Sequence, residues 1–80
     1  MDAQSVMWLK IVTDKGVRCR FVEGWFMIDS YVNSIDDLML EIDKNKPDVV
    51  VIDLDLYEMM DGIETSRKIR TRFDVPVVYV

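Results

Sequence analysis

The stretch VVVIDLDLYEMMDGIE, residues 49–64, decides how the rest of the chain is read. Its aliphatic opening belongs to a strand predicted over residues 48–54, and an unbroken run of this kind is what a central parallel strand, buried on both faces, requires. That strand ends in two acids, Asp53 and Asp55. In the Asp61-Gly62-Ile63-Glu64 segment beyond it, Asp61 can cap a helix and Glu64 can reach back to its first turn.

Upstream, Ser34-Ile35-Asp36-Asp37 has a capping-box pattern, and Ile35, Leu38, Met39 and Ile42 form one apolar helical stripe. This helix ends among Lys44, Asn45 and Lys46, where cations suit a carboxyl terminus, and Pro47 stops it. Downstream, the helix begun at Asp61 turns Ile63, Ile69 and Phe73 to the core and gathers Arg67, Lys68, Arg70 and Arg72 on a wet basic face toward its far end. Residues 74–80 make a last strand, with Pro76 near its first residues, where a missing N–H is tolerated. Strands alternating with helices predict an α/β fold with a doubly wound parallel sheet, in one domain over residues 1–80.

The N-terminal third is less regular. VMWLKIV, residues 6–12, reads as a strand and Thr13-Asp14-Lys15-Gly16 as a turn or helix entry. Residues 17–26 allow two readings: a short helix closed by Gly24, or a hairpin turning at Asp14-Lys15-Gly16. Residues 25–31 are the next strand, and Trp8, Trp25 and Phe26 are expected in the core.

A chain of 80 residues buries only about 60% of its unfolded surface and supports a single core. A net charge of -5 repels phosphate backbones and anionic lipid heads, which argues against nucleic acid and membrane as partners. No apolar run approaches the ~20 residues of a membrane helix, and the N-terminus lacks a signal-peptide pattern. The lone Cys19 has no internal disulfide partner, which favours a reducing, cytoplasmic compartment. Histidine is absent, so His-based triads and the usual zinc chemistry are excluded. Any reaction here runs on carboxylates, backbone groups or a hard cation.

Open α/β sheets bind ligands beyond the carboxyl ends of their strands. Asp14 ends the first strand and Asp53 the central one. If those strands are neighbours, the two carboxylates and the backbone carbonyl of Asp55 form an oxygen-only pocket suited to Mg²⁺. A carboxylate beside that ion can attack a phosphoryl donor and hold the group as an acyl phosphate.

The chain resembles the receiver domain of two-component response regulators. The likeness runs from about Asn33 to Val80 and rests on KPDVVVIDLDL, MDGIE and VPVVYV in the order receivers show, whereas residues 1–32 diverge. The loop after the phosphoacceptor is longer than in most receivers, with Tyr57 where they carry Pro. A receiver subgroup shares this loop, and Asp53, Leu56, Met60, Asp61, Gly62, Ile63 and Glu64 match its pattern. The resemblance implies a flavodoxin-like, doubly wound sheet that lacks the family's C-terminal helix-strand-helix. It implies Asp53 as phosphoacceptor in a phosphorelay, and Asp14, Asp53 and Asp55 around Mg²⁺, with Thr13 in place of the second acid. Tyr57, Met60, Asp61 and Gly62 would shape the loop and helix start beside it. The implied partner is a sensor histidine kinase or other phosphodonor. The chain ends before the positions at which the family carries its Thr or Ser and its Lys.

Two other readings remain open. A pseudo-receiver could act without phosphate as an interaction or dimerisation module, a homodimer forming through the open edge strand from Val75 to Val80. Asp-Leu-Asp also fits the entry motif of haloacid-dehalogenase-type phosphatases, but the chain is short for their remaining catalytic residues and MDGIE is then unexplained. A signalling domain rather than an enzyme is the expectation.

Overall fold

The computed structural model describes residues 4–59 and 62–80, and of residues 13 and 57–59 the backbone alone. Five strands, β1 (Ser5–Val12), β2 (Gly16–Glu23), β3 (Phe26–Val32), β4 (Val49–Ile52) and β5 (Val77–Tyr79), form one sheet in the order β3-β2-β1-β4-β5. Three helices complete the described fold: α1 (Ile35–Asn45), α2 (Leu54–Met59) and α3 (Gly62–Phe73). The α/β class expected from the alternation of elements holds.

The sheet is mixed rather than wholly parallel. β1 pairs antiparallel with β2, and β2 with β3, while β1, β4 and β5 pair parallel. Only β2 therefore runs against the other four. The cause lies in residues 17–22, where the hairpin alternative prevails over the helix: Val17, Cys19 and Phe21 are buried and alternate with Arg18, Arg20 and Val22, a strand period of two. A single 3-10 turn, Thr13–Lys15, makes the bend, and Gly16 leaves it at φ 90°, where a side chain is strained. A Cβ on Gly16 would also stand 2.5 Å from the carbonyl oxygen of Val32. Between β2 and β3, Gly24 takes φ 59° at the first position of a two-residue loop, as a type II′ hairpin turn requires.

Pairing sets the faces. Met7 and Leu9 on β1 lie beside Phe21 and Cys19 on one side and Val50 and Ile52 on the other, all turned to one face. Leu38 and Ile42 of α1, Leu56 of α2 and Ile69 of α3 close over that face, and all belong to one buried cluster. Each such aliphatic side chain stabilises the fold by about 1.5–3 kcal/mol when fully buried. The helices thus cover one face only, in two layers. The doubly wound expectation is corrected on this point, because the segment able to form a helix on the second face is spent as β2.

The start and end expected for α1 hold. The Ser34 hydroxyl accepts from the Asp37 N–H at 3.1 Å and starts α1. At the other end Lys46 turns left-handed at φ 50° and donates its N–H to the Ile42 carbonyl, an αL cap. Ser5 and Asp48 clasp the bottoms of β1 and β4: the Ser5 N–H donates to Asp48 Oδ2 at 2.8 Å, and the Asp48 N–H reaches Ser5 Oγ at 3.0 Å.

Other expectations fail. Trp8 is 45% exposed, Phe26 57%, and Trp25 wholly so, because Trp8 points to the uncovered face and Trp25 sits in the hairpin loop. Ile63 is exposed, whereas Thr65 and Ser66 are buried beside Ile69, so α3 meets the core through small polar side chains. The strand expected over residues 48–54 stops at Ile52, and α2 follows where a loop was expected. Among the described residues no helix is long and apolar enough to cross a membrane.

Candidate functional site

Asp53 leaves the sheet at the carboxyl end of β4, between β1 and β5. Its N–H donates to the Leu9 carbonyl at 3.0 Å, which carries the β1–β4 ladder one residue past Ile52, and the next N–H, that of Leu54, donates to the Val80 carbonyl at 2.8 Å. Asp53 Oδ1 accepts the Asp55 N–H at 2.9 Å, closing an Asx turn that starts α2. Leu56, the residue after Asp55, is thereby turned into the core.

The half-buried Asp53 carboxylate opens on a pocket of about 280 Å³ lined by Trp8, Leu9, Lys10, Arg18 and Arg20. This pocket lies on the uncovered face. Trp8 stands beside Arg20, and Lys10 beside Arg18, across the β1–β2 pair. Continuing the β1–β4 register past Leu9 and Ile52 sets Lys10 level with Asp53. Arg20 is held by Asp29 on β3, with hydrogen bonds of 2.8 and 3.0 Å between the two side chains. That hydrogen-bonded guanidinium keeps the Asp29 carboxyl below its ordinary range. Among the described residues, neither Lys10 nor Arg18 has an ion-pair partner within 4.0 Å. The arrangement therefore places two cations beside a carboxylate at one pocket.

The expected acidic cluster is distributed differently. Asp14 sits exposed in the 3-10 turn, and β1 runs two residues past the level of Lys10, roughly 7 Å, before that turn begins. It does not line the pocket at Asp53. Asp55 is exposed in the first turn of α2 and touches Asp53 through its N–H. Octahedral magnesium needs several hard oxygen ligands; among the described residues no group of three such side chains gathers, and the neighbour level with Asp53 is an ammonium group. Gly62 is buried at the start of α3. Met60 and Asp61 lie outside the described residues, as does the Tyr57 side chain.

Lys10, Arg18 and Trp8 are the site residues that motif reading misses. The signal was present in the hairpin alternative, since a turn at residues 13–16 sets Lys10 opposite Arg18 on the face away from Cys19. A larger cleft, about 720 Å³, lies between α1 and α3, with Ile35, Met39 and Leu40 on one wall and Arg67, Lys68 and Arg72 on the other. It carries no nucleophile paired with a base. Cys19 is fully enclosed, and burial together with nearby Glu41 pushes its thiol up to about 12. It is an unreactive core residue rather than part of a site.

No family model matches this chain, and no curated protein does.

Proposed function

We propose that this chain is a receiver-type signalling module that takes a phosphoryl group on Asp53. The observation that supports this reading is the position of Asp53 at the carboxyl end of the middle strand of the parallel set β1-β4-β5, half-buried and open to a pocket lined by the cations Lys10 and Arg18. The β4-α3-β5 segment carries the motifs on which the receiver resemblance rests, and β1 and β4 are neighbouring parallel strands.

In the step proposed, an Asp53 carboxylate oxygen attacks the phosphorus of an acyl phosphate or phosphohistidine donor. A P–O bond forms, the bond from phosphorus to the donor breaks, and the donor departs with that electron pair. Lys10 and Arg18 offset the charge that would otherwise keep an anionic donor from a carboxylate. A sensor histidine kinase or a small cytoplasmic phosphodonor would supply the group. The module accepts a group and does not turn over a substrate.

A second reading is favoured by a different observation. Asp53 Oδ1 is engaged in the cap of α2, and the residue level with it is Lys10 rather than an acid. On that reading the carboxylate is structural and the domain is a phosphorylation-independent interaction module. Intact mass after incubation with acetyl phosphate separates the two: gain of one phosphoryl group, absent in Asp53→Asn, supports the first, and no gain by a folded chain supports the second.

A further inference from the structure

We infer that the uncovered face of the sheet docks an acidic amphipathic helix of a partner protein, laid along β1. The inference rests on this face and not on phosphoryl transfer to Asp53. Helices cover one face, and the other exposes Trp8 at 45%, Met27 at 58%, Tyr31 at 44% and Val78 at 45%. Val22, Val6 and Val49 stand level with Met27 and complete an apolar row across four strands. An exposed apolar patch rimmed by polar groups marks an interaction site. The parallel strands β1, β4 and β5 indicate what kind of element fits it, since parallel strands are ordinarily covered on both faces by helices.

Charge identifies that helix as acidic. The chain carries -5 overall, yet the strand side chains with charge on this face are Lys10, Arg18 and Arg20 against Asp29 and Asp53. Lys15 adds a fourth cation, its ammonium 5.4 Å from the centre of the Tyr31 ring. Arg20 and Asp29 pair at 2.8 Å. Lys10, Arg18 and Lys15 are left against Asp53, a basic surface on an acidic chain. The net charge of the whole chain repels a phosphate backbone or an anionic bilayer, whose charge is dense and extended. A peptide instead sets a few acids over these cations and aliphatic side chains over the rest.

Apolar surface and charge are segregated along the strands. The Met27-Val22-Val6-Val49 row lies toward the start of β1, Trp8 and Val78 lie two residues further along, and Lys10 and Arg18 two residues beyond them, level with Asp53. Rows two residues apart are roughly 7 Å apart, so a helix along β1 rests its apolar stripe on the first two rows and brings acids over the third. A helix of about 16 residues is ~24 Å long, against roughly 26 Å for the eight residues of β1. Trp8, in the middle row, is the large aromatic anchor on which the binding energy of such an interface concentrates.

Fluorescence anisotropy of the full, unphosphorylated chain with a labelled helical peptide of about 16 residues tests this, the peptide carrying one leucine stripe flanked by glutamates. The wild type is expected to bind it with a Kd of about 100 µM or tighter, and to bind the same peptide with lysine for glutamate at least about tenfold more weakly. Trp8→Ser, and separately Lys10→Glu with Arg18→Glu, should each weaken binding at least about tenfold while far-UV circular dichroism stays unchanged, and the charge-reversed chain should prefer the lysine peptide. Arg67→Glu with Lys68→Glu, on α3 and away from this face, should leave binding within about threefold. No binding up to about 1 mM would overturn the proposal. So would loss of binding on reversing α3 with none on reversing Lys10 and Arg18, equal binding of a scrambled peptide that lacks the stripe, or tighter binding of duplex DNA or phosphatidylserine vesicles.

Discussion

Lys10 on β1 stands level with Asp53 at the end of β4, and both side chains line one pocket on the uncovered face of the sheet. A cation therefore stands beside the carboxylate, while Asp14, the acid expected to share a metal with it, lies in the 3-10 turn. Two consequences can be measured. Magnesium at millimolar concentration should leave Tm unchanged, because a ligand stabilises only in proportion to its binding to the folded state. Phosphorylation of Asp53 by acetyl phosphate should persist in a chelator and fall about tenfold or more in Lys10→Ala, as loss of one electrostatic donor does elsewhere. A metal-dependent rate with no effect of Lys10→Ala would remove Lys10 from the account.

Gly16 links the sheet's one reversed strand to its neighbours. Its φ of 90° and the 2.5 Å approach of a would-be Cβ to the Val32 carbonyl leave no room for a side chain. Gly16→Ala should destabilise by about 2 kcal/mol or more, whereas Gly24→Ala meets nothing within 4 Å and bears only the strain of its φ of 59°. Urea denaturation of the two variants gives the comparison, and an equal loss in both would show that crowding at Gly16 is relieved by movement of β3.

Cys19 supplies a pH test. Burial raises its thiol from 9.0 to about 12 in the folded chain, so the folded state holds the proton over a range in which the unfolded chain releases it. Stability from this residue is intact below pH 9 and is lost as pH rises from about 9 toward 12, at no more than about 1.4 kcal/mol per pH unit. Cys19→Ser or Cys19→Ala should flatten that slope. At neutral pH the thiol should resist alkylating reagents until the chain unfolds, and rapid labelling of the native state would contradict its enclosure.

Much of the C-terminal half was legible because its signals are local. Ser34 caps α1, Leu38 and Ile42 carry its stripe, Lys46 and Pro47 end it, and the aliphatic run over β4 could be little else. The N-terminal third resisted because Val17, Phe21 and Trp25 fit a helical spacing while Val17, Cys19 and Phe21 fit a strand spacing, and only pairing with β1 and β3 decides between them. The burial of Trp8 was misjudged for the same reason: without a helix from that segment, the face it points to has no cover. α2 went unseen since its start depends on the Asp53 side chain turning back to the Asp55 N–H, and the motif reading assigned that side chain to phosphoryl acceptance. Of the site, Asp53 was visible from its place at a strand end, but the company it keeps followed from register.

Acceptance of a phosphoryl group by Asp53 beside Lys10 and Arg18 is read from intact mass after incubation with acetyl phosphate, wild type beside Asp53→Asn, with chelator present and absent. The wild type should gain one phosphoryl group in both conditions and the variant none. A folded wild type that gains no mass, or a variant that gains as much, would contradict it.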